Sequence, residues 1–420
     1  MQLVRARGAG LYAGDRPFYF AGTNCHYLLT RSADESQRPM VTEVLDDAKR
    51  LKLTVLRCWA FCDGAEEWNA LQPELGKFSD KVFAGLDWLI VEAGRRGIRL
   101  LLSLTNYWAD YGGMPAYVRW KYGIKDKKQH DYTKYPTSLF YTDPDMRVNF
   151  RRAVSAVVGR VNSLSGVPYA QDPTILGWEL ANEPRCPEGA HPGEGDRVLQ
   201  EWVASTADFV RGLDRNHLIT LGTEGFYGPS SPDMLSYNPF ESASRLGADW
   251  VALGRSVDMV CIHLYPDSWM PHDSSREDIR RWTRNWIRSH AALCGGVPLL
   301  KPLVVSEFGK REPGRYTGPD CTKNMGREEA FKEILGSCRE MAEGGGPLAG
   351  VCAWMTAARQ YPDYDGFTLH LGPPEAPDRG RAAAPAGPLT SPQSDEPAVQ
   401  LLQEYGQAMA KLSPLQPAAA

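Results

Sequence analysis

Short apolar runs punctuate this chain at regular intervals. Rich in β-branched, leucine and aromatic residues, they lie near 18–24, 54–59, 99–105, 175–180, 218–223, 259–264, 303–306 and 350–355. Each is too short for a helix and lacks the alternation of a half-wet strand, so it predicts a strand buried on both faces. Between them, apolar residues recur at helical spacing over 41–51, 79–96, 144–164, 196–213, 275–293, 327–343 and 395–412, with a further helix expected within 243–253. Eight strand-then-helix units predict an α/β chain with a parallel sheet, and closure of that sheet on itself predicts a (β/α)8 TIM barrel. The rival is an open, doubly wound sheet. It is disfavoured because no Gly-x-Gly-x-x-Gly follows the first run, and polar residues gather at the ends of many runs instead of at one switch point.

Three segments that follow runs are long enough to wall a cleft: 106–142, 184–195 and 224–250. The first carries Tyr107, Trp108, Tyr111, Trp120 and Tyr122. Residues 372–397 differ, being dense in Pro, Ala, Gly and charge, which predicts a mobile insertion before the last helix. One catalytic domain over 1–412 and a disordered tail at 413–420 are expected.

A formal net charge of -4 without a basic stripe offers no attraction to nucleic acid or an anionic membrane. No run reaches the ~20 apolar residues of a membrane span. The opening Met1-Gln2-Leu3-Val4-Arg5-Ala6-Arg7-Gly8 lacks the apolar stretch of a signal peptide, which leaves compartment open between an intracellular protein and one whose leader is missing. The expected partner is therefore neutral. Twelve Trp and eighteen Tyr suit a sugar, because flat rings cover the apolar faces of pyranoses, although many such rings in any protein are core. Nine cysteines include no Cys-x-x-Cys pair; Cys25, Cys58, Cys261 and Cys352 fall in strand runs where buried thiols are ordinary, and disulfides among Cys186, Cys294, Cys321 and Cys338 stay open. The histidines show no ligand spacing such as His-Glu-x-x-His, so no metal and no other cofactor is expected.

Polar residues at the ends of the eight runs assemble a candidate site: Asn24, Arg57 with Trp59, Asn106, Asn182 with Glu183, Glu224, His263 with Tyr265, Glu307 and Trp354. Trp108 joins them from the first long segment. Trp59 and Trp108 suit either a sugar platform or packing, and Glu224 suits a structural role as well. Two acids stand out: Glu183 in Gly177-Trp178-Glu179-Leu180-Ala181-Asn182-Glu183-Pro184-Arg185 and Glu307 in Leu303-Val304-Val305-Ser306-Glu307-Phe308-Gly309-Lys310. Barrel closure would bring them face to face, the geometry that two-carboxylate glycoside cleavage requires. At about 5–5.5 Å they would cut with retention, and at about 6.5–9.5 Å with inversion. The neighbours suggest Glu183 as acid/base, protonated under the influence of the Glu307 charge, and Glu307 as a nucleophile kept ionised by Arg57 or Tyr265.

With these motifs the chain resembles glycoside hydrolase family 5, of the clan A barrels, and is most similar to its eukaryotic-type endo-β-1,4-mannanases. The resemblance also rests on Arg57-Cys58-Trp59-Ala60-Phe61-Cys62-Asp63-Gly64, Gly112-Gly113-Met114-Pro115, Glu224-Gly225-Phe226-Tyr227-Gly228 and His263-Leu264-Tyr265-Pro266-Asp267. It implies an endo-acting, retaining hydrolase of mannan, glucomannan or galactomannan, acting as a monomer and secreted. It also implies Glu183 as acid/base, Glu307 as nucleophile, Trp354 as floor under the attacked sugar, and a non-proline cis peptide after Trp354. A transglycosylase, a β-1,4-glucanase of the same clan and a non-catalytic sugar-binding barrel are the alternatives. One departure concerns substrate fit: Cys25-His26-Tyr27 stands where the mannanase group usually has a Tyr-Trp pair.

Overall fold

The structure, a computed structural model, describes residues 1–187, 193–312, 324–371 and 396–413. Eight parallel strands close into a barrel. They are β1 (Phe20–Asn24), β2 (Val55–Trp59), β3 (Arg99–Ser103), β4 (Ile175–Asn182), β5 (Leu218–Gly222), β6 (Met259–Leu264), β7 (Leu303–Phe308) and β8 (Leu348–Ala353). Every residue in them is buried, as continuous apolar runs demand of a sheet covered on both faces. The ring closes where β8 pairs with β1, Gly350 opposite Phe20.

The covering helices are α1 (Arg38–Arg50), α2 (Asp80–Arg95), α3 (Pro144–Val158), α4 (Glu194–Leu213), α5 (Trp250–Gly254), α6 (Arg276–Cys294), α7 (Arg327–Glu343) and α8 (Glu396–Leu412). Side-chain caps fix several starts. Ser79 accepts from the Val82 N–H, Asp143 from Asp145 and Met146, and Ser275 from Asp278, each satisfying donors that a first turn leaves free.

Two expected helices differ. The run over 144–164 ends at Val158, and the Asn162 carbonyl and side chain then organise a tight loop by accepting from Leu164, Ser165 and Gly166. The expected helix within 243–253 splits into a turn at Glu241–Arg245 and α5, because Gly247 between them has φ +62° and its backbone lies against Cys186, where a Cβ would stand 1.8 Å from the carbonyl oxygen.

An N-terminal hairpin, Val4–Arg7 against Gly10–Ala13, closes the far end of the barrel. Val4, Leu11 and Phe18 pack there with Phe20, Val55, Leu101 and Val304. The opposite end, at the strand C-termini, stays open. The expected insertion at 372–397 falls outside the described residues except for its last two positions, which already belong to α8. The expected tail also lies outside them apart from Ser413. That residue is buried and pinned, its hydroxyl accepting from Tyr19 N–H and donating to Tyr19 C=O. Among the described residues, no helix is long and apolar enough to cross a membrane. The eight described cysteines are buried free thiols, so Cys186, Cys294 and Cys338 form no disulfide with one another.

Candidate active site

A cleft of about 820 Å³ runs across the open end of the barrel, and Glu183 and Glu307 face into it. Register irregularities aim both acids. On β4 the pairing with β5 shifts between Glu179 and Asn182, and Glu183 follows at φ +44°, its N–H donating to Gly222 C=O at 2.7 Å. A non-glycine residue with such a φ is uncommon and persists only where its surroundings hold it. On β7 the pairing with β6 skips Ser306, leaving Glu307 opposite His263. Such an extra residue re-aims the side chains beside it. One oxygen of each acid and a ring nitrogen of His263 all lie within 4.8 Å of one another.

Glu307 is held from both sides. Arg57 Nη1 donates to Oε1 at 2.6 Å and Tyr265 Oη donates to Oε2 at 2.6 Å. Glu183 has its own pair of partners: His263 Nδ1 lies 2.7 Å from Oε1, and Trp108 Nε1 donates to Oε2 at 2.7 Å. Beneath both acids, the fully buried Arg57 guanidinium ties four side chains together. Besides Glu307 it donates twice to Glu179 (2.8 and 2.6 Å), to Asn24 Oδ1 (2.8 Å) and to Asn182 Oδ1 (2.6 Å). Gly222 leaves room for this group, since a Cβ there would meet Arg57 Nη2 at 2.6 Å and Glu179 Oε1 at 2.7 Å.

Burial works against every charge in this cluster, and the neighbours decide the outcome. For Glu307 burial wins over the pull of His263 and Arg57, and its carboxyl stands above the usual value. For Glu183 burial loses: the hydrogen bond and charge of His263, with Arg185 and Trp108, hold it low. Burial lowers His263 as well, but Glu307 and Glu183 flank it and their charges raise it overall. His263 thus pulls Glu183 in the opposite direction to the Glu307 charge, which the sequence reading took as the dominant influence on it. Glu224 is pushed up to about 7, by burial first and by Glu183 second, although Arg185 donates to it twice.

The expected residues divide by exposure. Trp59, Asn106, Trp108, Asn182, Glu224, Tyr265 and Trp354 line the cleft with the two acids. Asn24, Arg57 and His263, also expected in the site as sugar-binding residues, are fully buried and lie behind the acids, where Arg57 takes its other expected part as a partner of Glu307 and His263 is a partner of Glu183. The peptide Trp354–Met355 is cis, as the resemblance implied. Trp354 donates to Asp365 at 3.2 Å and stacks on His26, ring centroids 5.3 Å apart at 10°. The sequence reading missed Glu179, the main counter-ion of Arg57. Its signal was an acid in the middle of the otherwise apolar run Gly177-Trp178-Glu179-Leu180-Ala181, where burial of a charge demands a partner. Glu183, His263 and Glu307 could reach one cation, but Arg57, Tyr265 and Trp108 already take the carboxylate oxygens it would need.

A parallel barrel with two facing carboxylates at its C-terminal rim, one oxygen of each within 4.8 Å of the other, has the closely spaced acid pair of the retaining glycoside hydrolases, not the ~6.5–9.5 Å separation of inverting ones. A family model described as GH family 5 beta-mannosidase-like matches residues 1–372, and the chain belongs to that family. It is 36% identical over 376 residues to mannan endo-1,4-beta-mannosidase 2 of Oryza sativa subsp. japonica, an alignment that covers 88% of this chain and 80% of the relative. It is 37% identical over 359 residues to mannan endo-1,4-beta-mannosidase 1 of Solanum lycopersicum, covering 85% and 84%. Among solved structures, the endo-1,4-beta-mannanase from Rhizomucor miehei superposes with a TM-score of 0.73 at 27% identity, covering 98% of this chain and all of that one.

Proposed function

We propose that this protein is an endo-acting mannanase that cleaves internal β-1,4-mannosidic bonds of mannan, glucomannan or galactomannan by double displacement. The observation that carries the reading is the pair of acids closed to within 4.8 Å, each held by its own donors. The relatives' names supply the sugar and the linkage.

Glu307 Oε attacks C1 of the sugar above Trp354, forming a glycosyl ester as the C1–O bond to the leaving sugar breaks. Arg57 and Tyr265 favour the ionised form of that carboxylate against burial and fix its direction. Glu183 gives its proton to the departing oxygen. His263 Nδ1, 2.7 Å from Glu183 Oε1, is placed to supply that proton. Once Glu307 is esterified its charge is gone. Glu183 then takes a proton from water, whose oxygen attacks C1 and frees Glu307.

A reducing-sugar assay on mannan, with cellulose as comparison, tests the reading. Soluble oligosaccharides from mannan, absent in the Glu183→Gln and Glu307→Gln variants, are expected; release from cellulose alone would replace it with a glucanase.

A further inference from the structure

We propose that the cleft extends into a distal subsite built from Arg31, Trp68, Tyr361 and Tyr364, which binds the glycone end of the polysaccharide beyond the sugars next to the scissile bond. The proposal rests on the mannanase reading above.

The direction of the bound chain follows from the two acids. Glu183 protonates the leaving oxygen, so its neighbour Trp108, after β3, marks the leaving side. Glu307 attacks the retained sugar, and the next barrel positions are Trp354 after β8 and His26 after β1, stacked on each other. The retained part of the substrate thus runs over the loops that follow β8, β1 and β2.

Contacts continue outward along that side. His26 sits edge-on to Tyr111 at 5.4 Å, and the adjoining Tyr27 stacks on Tyr361 at 4.1 Å. The Arg31 guanidinium, one turn further along the helix Leu28–Ser32, lies between two rings, 4.9 Å from Trp68 and 5.6 Å from Tyr361. Its Nη1 also donates to Gln37 at 3.0 Å, which fixes the fork. Tyr364 meets Tyr361 at 5.8 Å and 87°.

All four residues line the cleft, yet Trp68 is 48% exposed and Tyr364 75%. Large rings left in water forgo the stabilisation of burial, and two of them at one end of a continuous cleft mark a surface reserved for a ligand. Ring faces beside N–H donors suit a neutral pyranose, whose apolar face stacks and whose hydroxyls accept. An anionic ligand fits less well, because Glu67 and Asp365 line the same cleft.

The test compares two substrates: mannohexaose, long enough to reach the outer rings, and an activated aryl β-mannobioside, which ends before them. Trp68→Ala is expected to lower kcat/KM on mannohexaose about tenfold, through KM, while activity on the mannobioside stays within twofold. Tyr364→Ala should show the same signature with a smaller loss, and Trp68→Tyr should restore most of it. Equal losses on both substrates would reduce Trp68 to packing, and an unchanged mannohexaose KM in Trp68→Ala would remove the subsite; both overturn the proposal. A wild-type protein that cleaves neither substrate would instead overturn the mannanase reading, and the subsite with it.

Discussion

Tyr265→Phe removes one atom and isolates one interaction. The hydroxyl donates to Glu307 Oε2 at 2.6 Å, while Arg57 keeps its separate hold on Oε1 at the same distance. A hydrogen bond to an ionised group is worth ~1.5–3 kcal/mol. Since it stabilises only the carboxylate, its loss raises the Glu307 pKa further, while Arg57 and His263 remain to oppose burial. The sign follows: the nucleophile must be ionised, so a raised pKa moves the acidic limb of the kcat/KM profile to higher pH. On the plateau, where Glu307 is ionised in both proteins, loss of the orienting bond should still lower kcat/KM by about 10–100-fold. Initial rates on an aryl β-mannobioside across the pH range measure both effects. An acidic limb that stays in place would mean that Tyr265 does not sense the charge on Glu307 and that the proposed nucleophile is wrong.

Glu179→Gln strips Arg57 of one of the two carboxylates that pair with it inside the barrel and should destabilise the protein by about 3–5 kcal/mol, as breaking a buried pair does; urea unfolding measures this, and a loss under ~0.5 kcal/mol would show that the pair is not structural. His263→Asn should pull the basic limb of the pH profile down, because it removes a histidine that two carboxylates raise above its ordinary value and leaves Glu183 as the remaining proton donor. A basic limb unmoved in His263→Asn would place the working proton elsewhere.

The barrel was legible because each of its strands is buried on both faces and so reads as an unbroken apolar run bounded by polar residues. Where that signal is weak, so was the reading. The hairpin Val4–Arg7 and Gly10–Ala13 has strands of four residues, too short to show a period, and it forms because its apolar positions plug the barrel end. The two acids were legible from strand-end position. What surrounds them was not: Asn24, Arg57 and His263 sit at the same kind of strand end as Tyr265, yet neighbouring strands bury them completely. The influence of His263 on Glu183 was not legible for a related reason. His263 lies 2.7 Å from Glu183 and 3.5 Å from Glu307, and only the folded ring of strands sets those two distances.

Trapping the intermediate tests the mechanism at its root. The enzyme is incubated with a 2-deoxy-2-fluoro mannobioside carrying an activated leaving group, then digested and analysed by mass spectrometry. The geometry predicts one added glycosyl unit on the peptide that contains Glu307, through an ester to its side chain. A label on Glu183, or an enzyme that turns the natural substrate into the inverted α-product and never acquires a label, would contradict it.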